Sequence, residues 1–158
     1  MKESYKKGLS FGLTSAVITT LGLMVGLNSG TGSKLAVISG ILIIALADAF
    51  SDSLGIHVSE ESNKKNKVRH VWEATIVTFL TKFLFALTFV IPFLFFNLMT
   101  SSIISIIWGI ILLSVLSYKI GQQGKENPLR VVGEHLLIAV IVITLSYFLG
   151  NLINGLVL

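Results

Sequence analysis

The chain has 158 residues, of which 12 are Lys or Arg and 8 are Asp or Glu, and its mean hydropathy is +0.86. Charged residues make up 13%, about half the share of an ordinary soluble domain, and hydrophobic residues make up 53%, more apolar surface than a soluble fold of this size can hide. There is no Cys, which excludes disulfide scaffolds, zinc–thiolate centres and thiol catalysis, and the apolar content excludes disorder.

What remains is a single-domain, all-α polytopic membrane protein. A helix needs about 20 apolar residues to cross the hydrocarbon core. Five stretches meet or approach that length, at about 9–27, 35–55, 71–96, 103–118 and 129–149, so one five-helix transmembrane domain over 1–158 is expected. The basic segment 1–7 before the first span has the charge of a signal-peptide leader. The apolar stretch behind it is too long and further spans follow, so a retained anchor is expected.

The first span carries a face of small residues. Gly8, Gly12, Ser15, Thr19, Gly22 and Gly26 recur at steps of four, three, four, three and four. Such faces let helix backbones approach closely, between protomers or within one chain, and a small polar face also suits the lining of a narrow path.

The second span holds Asp48 and Asp52, four residues apart and therefore on one helix face. Two carboxylates on one face suit a hard or borderline divalent cation. Placed close together they also repel, a property that a site trading protons for a metal needs. The segment 55–69 then begins with His57, Glu60 and Glu61, which can attract a cation at an entrance or simply cap the helix in solvent. Their spacing matches no specific metal signature.

Lys82 interrupts the third span. With a rise of 1.5 Å per residue, Asp48 lies roughly 18 Å deep, Asp52 roughly 12 Å and Lys82 roughly 20 Å from the ends marked by Glu60 and Arg69. Intramembrane ionisable residues are costly and face an interior or a wet cavity. The pattern predicts a polar vestibule with Asp48 and Lys82 near its floor. The same residues also fit a structural ion pair locking spans two and three together. The fourth span is short and uncharged. Glu134 and His135 lie about one turn into the fifth and read as interfacial.

Short loops at 28–34 and 97–102 make their flanking spans antiparallel. Lys2, Lys6 and Lys7, then Lys64, Lys65, Lys67 and Arg69, then Lys119, Lys125 and Arg130 fall on one side, and Lys34 falls on the other. The positive-inside rule places the N-terminus in the cytoplasm and the C-terminus outside, in the cell membrane if the source is prokaryotic. The basic balance is therefore topological, and no nucleic-acid partner is expected. No HExxH, GxSxG, Walker or dinucleotide motif occurs, so an enzyme is not expected.

Four stretches in order resemble the vacuolar iron transporter family, Fe²⁺ and Mn²⁺ carriers that include nodulin-like proteins. FGLTSAVITTLGLMVGL in span one is similar to the family's DGL(V/T)…GL pattern. AFSDSLGIHVSEES at the end of span two is similar to A(I/M)SM(G/A)xGEYVSxxS. ATIVTFLTKFLFALTFVIPFLFF resembles the small-residue helix ending in a GAxxPxxP-like segment, and LLIAVIVITLSYFLGNLI resembles the closing LLIG…YxxG stretch. The resemblance spans nearly the whole chain. It implies a homodimer of five-helix protomers, an ion path along the interface lined by the first two spans, and proton-coupled export of Fe²⁺ or Mn²⁺ from the cytoplasm. The metal is then substrate, with no tightly bound cofactor.

Three features depart from the family. Phe11 stands where it has an Asp, Asp52 falls within a residue of its span-two Met, and a short basic loop replaces its long Glu-rich metal-binding helices. The resemblance therefore implies a short member in which the carboxylate work is expected to pass to Asp48 and Asp52, with Lys82 in proton coupling and Glu60, Glu61 and His57 attracting the ion. Two rival readings stand beside it: a non-transporting structural or partner-binding subunit, and a carrier of another cation or small solute.

Overall fold

A computed structural model describes residues 3–124 and 127–157. These residues form six helices and no strand: α1 (Glu3–Thr31), α2 (Lys34–Ser62), α3 (Val68–Thr88), α4 (Ile91–Phe95), α5 (Leu98–Gly124) and α6 (Pro128–Val157). With α3 and α4 taken as one apolar run, five helices are long and apolar enough to cross a membrane. Lys2 and Lys125, counted above among the topological charges, lie outside the described residues.

Local chemistry sets the turns. At the end of α1, Gly32 takes φ +57°, a left-handed conformation that a Cβ disfavours, and its N–H donates to Asn28 O at 3.0 Å. Ser33 then caps α2 by accepting from the Ala36 N–H at 3.2 Å. Pro92 has no N–H to donate to Thr88. The chain tightens ahead of it, with Phe89 and Val90 donating three residues back to Ala86 and Leu87, and restarts as the single turn α4. The stretch 71–96 is thus two helices.

The helices run past the apolar stretches. α2 continues through Ser62, so His57, Glu60 and Glu61 are helical, two turns beyond the end expected at 55. Gly55 does not stop the helix, because nothing in GIHVSEES offers a competing turn.

α1 is the central helix and packs on α3, α6, α2 and α5. Its Leu13, Val17, Leu21 and Met24 form the core with Val37 and Ile41 of α2, Phe89, Phe93 of α4 and Leu113 of α5. The outside is also apolar. Leu42, Ile43 and Leu46 on α2, Ile107 and Ile111 on α5, and Leu145, Phe148 and Leu152 on α6 are all exposed. Exposed apolar surface on this scale suits a lipid solvent rather than water.

Successive long helices alternate in direction. The N-terminal end of α1, the α2–α3 loop and the α5–α6 connection therefore share one end, which carries Lys6, Lys7, Lys64, Lys65, Lys67, Arg69, Lys119 and Arg130. Lys34 is at the opposite end, where its Nζ donates to Phe96 O at 2.9 Å and Asn154 Nδ2 donates to Gly30 O at 2.9 Å.

Candidate functional site: a buried lysine between two aspartates

Three helices bring polar side chains to one point inside the bundle. Lys82 of α3 is 1% exposed. Its Nζ lies 2.6 Å from Asp48 Oδ2 as an ion pair and is both hydrogen-bonded and ion-paired to Asp52 Oδ2, with both carboxylates on α2. From α1, Ser15 Oγ accepts from Lys82 Nζ at 2.7 Å and lies 2.6 Å from Asp52 Oδ2, to which it donates. Thr19, one turn on, donates to Ser15 O at 2.8 Å.

The helix period explains the grouping. The spacing of four turns Asp48 and Asp52 to the same side of α2, facing α3. The long Lys82 stem spans the gap, and the small α1 face leaves room for the ammonium. Two carboxylates and one ammonium leave the cluster one negative charge in its ionised form. The ammonium also relieves the repulsion expected between the two carboxylates. The aspartate side chains are each 22% exposed, so the cluster is sealed on the lysine side and partly open on the carboxylate side. Asp48 Oδ2 takes no hydrogen bond among the described residues, and its compensation is the charge of Lys82.

Glu60, His57 and Glu61 do not join this cluster. Glu60 is 6% exposed and closes the basic end of the bundle. Its Oε1 accepts from Lys7 Nζ at 3.2 Å, and its Oε2 pairs with His70 Nε2 at 3.0 Å and accepts from Asn66 Nδ2 at 2.9 Å. One carboxylate thereby ties α1, α2, α3 and the connecting loop. His57 bonds through Nδ1 to Thr75 Oγ1 at 3.0 Å and stands edge-on to Trp72, while Glu61 is exposed. Among the described residues no three His, Asp or Glu side chains come together as a metal site. The set is therefore scattered rather than gathered around one ion: Asp48 and Asp52 on Lys82, Glu60 against Lys7 and His70, His57 on Thr75, and Glu61 on the surface.

The small face of α1 is used within the chain, and it changes partner along its length. A Cβ on Gly8 would meet Ala74 O at 2.8 Å, and one on Gly12 would meet Thr78 O at 2.9 Å, both on α3. Further along, a Cβ on Gly22 would meet Val142 Cγ1 at 2.7 Å and one on Gly26 would meet Ser146 O at 3.5 Å, both on α6. Ser15 belongs to the charge cluster. Phe11 is 42% exposed. In α6, Glu134 pairs with Arg130 at 2.9 Å on the surface, and His135 Nδ1 bonds Ser117 Oγ at 2.7 Å.

Three contacts are not expected from the sequence: Ser15, singled out only as part of the small α1 face, in the charge cluster, and Lys7 and His70 on Glu60. Each is an ordinary residue until the helix packing is known. No protein-family model matches the chain, and no curated protein matches it.

Proposed function

We propose that the chain is a membrane carrier that exchanges protons for a cation at the Asp48–Lys82–Asp52 cluster. The observation that carries this reading is a lysine 1% exposed between two aspartates that remain partly open, inside helices long and apolar enough to span a bilayer. Such charges are expensive in a membrane and concentrate along ion and proton pathways. A cation entering the carboxylate side competes with the Lys82 ammonium for the same oxygens. Loss of a proton from Lys82, or rotation of its stem away, frees the pair. Ser15 links that event to α1, the central helix, and so to the packing of the whole bundle.

The resemblance of the sequence to the vacuolar iron transporter family makes a divalent metal, Fe²⁺ or Mn²⁺, the proposed substrate, with export from a cytoplasm that faces the basic end. The homodimer in this proposal cannot rest on Gly8, Gly12 or Gly22, which are occupied by α3 and α6. It would form on another apolar face, such as Leu42, Ile43 and Leu46 of α2. No chemical transformation enters this reading.

The test is Mn²⁺ or Fe²⁺ flux into reconstituted vesicles under a pH gradient. Flux above empty vesicles, lost in D48N/D52N protein that still elutes as a folded species, supports the carrier. Wild-type flux in that variant removes the cluster from the mechanism.

One observation favours a second reading. Lys82 already engages both carboxylates, which suits a static lock in a non-transporting structural subunit. A saturable metal-binding isotherm abolished by D48N/D52N argues against the lock, and competition among solutes in the flux assay separates metals from other cargo.

A further inference from the structure

Outside the charge cluster, α2 and α3 enclose a groove of about 540 Å³. Its walls are Phe50, Leu54, Ile76, Phe79 and Leu80, and Phe50 and Phe79 lie with ring centroids 4.7 Å apart. His57 and Trp72 line it too, as does Thr75, which is bonded to His57 at 3.0 Å. The same His57 and Trp72 form the wall of a smaller cleft, which also includes Asn66 and, at its rim, the exposed Glu61. Asn66 in turn lines a third, polar hollow of about 300 Å³ with Lys65, Lys67 and Arg69. Shared residues thus join an apolar groove, an aromatic–imidazole neck and a cationic hollow into one surface, ordered along α2 and α3 toward the basic end.

That order matches an amphiphile. The groove has the room for a single acyl chain. Trp at the neck suits the level where hydrocarbon meets headgroup. The hollow sets three cations against the Glu73 carboxylate, which holds Arg69 at 2.8 Å. Basic pockets beside membrane helices recognise anionic headgroups.

We propose that this surface binds an anionic glycerophospholipid, with one acyl chain in the α2–α3 groove and its phosphate on Lys65, Lys67 and Arg69. The proposal rests on the bilayer reading alone, so it stands or falls independently of ion transport. Occupancy would brace α2 against α3, the two helices that carry Asp48, Asp52 and Lys82.

Trp72 is a built-in reporter. The chain has two tryptophans, and W108F leaves Trp72 alone. Trp72 fluorescence is read in vesicles doped with either brominated phosphatidylglycerol or brominated phosphatidylcholine at the same mole fraction. The expected result is stronger quenching by brominated phosphatidylglycerol, with an enrichment of about fivefold for each cation engaged. K65Q/K67Q/R69Q should reduce the two curves to one, and I76F, which fills the groove, should weaken quenching by both lipids. Equal quenching of W108F by the two lipids, quenching by neither, or a preference that survives K65Q/K67Q/R69Q overturns the proposal.

Discussion

Lys82 Nζ lies 2.6 Å from Asp48 Oδ2, and this ion pair joins α3 to α2 inside the bundle. With Asp52 on the same lysine and Ser15 between them, it is a polar junction at which three long helices meet away from their ends. The stability of the bundle and the proposed ion chemistry therefore depend on the same atoms.

Breaking the junction from one side is expected to be worse than removing it. K82M leaves two carboxylates without their counter-charge, at a cost of about 3–5 kcal/mol. D48N/D52N/K82M removes every formal charge and should recover most of that loss. Thermal unfolding in detergent checks it: the single variant should melt well below both the wild type and the triple variant. Equal melting of all three would mean that the charges are solvated rather than buried.

Glu60 predicts a second, separable weakness. Its carboxylate accepts from Lys7 and Asn66 and pairs with His70, so Glu60→Ala removes all three contacts at the basic end, leaving Lys7 with Glu3 at 3.5 Å and Asn66 with the Glu60 backbone O at 2.9 Å. A loss of about 1–3 kcal/mol is expected. Limited proteolysis should show faster cleavage in the 63–67 loop. Glu61→Ala, on an exposed side chain, should change neither measurement.

The glycines of the chain should divide sharply under substitution. Gly12→Leu drives a side chain into Thr78 O and Thr81 of α3 and should destabilise by about 1–3 kcal/mol. A Cβ on Gly55 or Gly133 meets nothing within 4 Å, so Ala at either position should be neutral or stabilising by up to about 1 kcal/mol. Melting temperatures of the three variants decide between this packing and one in which the α1 face is free.

Topology can be read by single-cysteine labelling, because the chain contains no Cys. S33C and K65C sit at opposite ends of α2. In intact cells an impermeant maleimide should label S33C and spare K65C until the membrane is opened. Labelling of both in intact cells would contradict a spanning α2 with the basic end inside.

Much of this arrangement is legible in the residues themselves. Low charge and five apolar runs give the helices, and the four-residue spacing of Asp48 and Asp52, together with helix rise, puts Lys82 near their level. Other features depend on packing, which spacing alone does not reveal. Ser15 is one small residue among six on the α1 face, and nothing local distinguishes it from its neighbours. The same face cannot reveal that its first half meets α3 and its second half α6, since both partners demand small residues. Glu60 reads as a solvated acid because the helix was expected to end near Gly55. Two further turns carry it beneath Lys7 and beside His70. Pro92 lies inside the stretch 71–96, which reads as one span in the sequence, and the short turn beyond it depends on how Phe93 and Ser101 pack and bond, with Ser101 Oγ donating to Pro92 O at 2.9 Å.

The central claim, that the Asp48–Lys82–Asp52 cluster trades protons for a cation, is tested most directly by proton movement itself. Vesicles containing the protein and an internal pH dye are given external Mn²⁺ with no imposed pH gradient. The account predicts that the interior becomes alkaline as protons leave in exchange, and that D48N/D52N abolishes the change. No pH change beyond that of empty vesicles, or an unchanged rate in D48N/D52N, would contradict it.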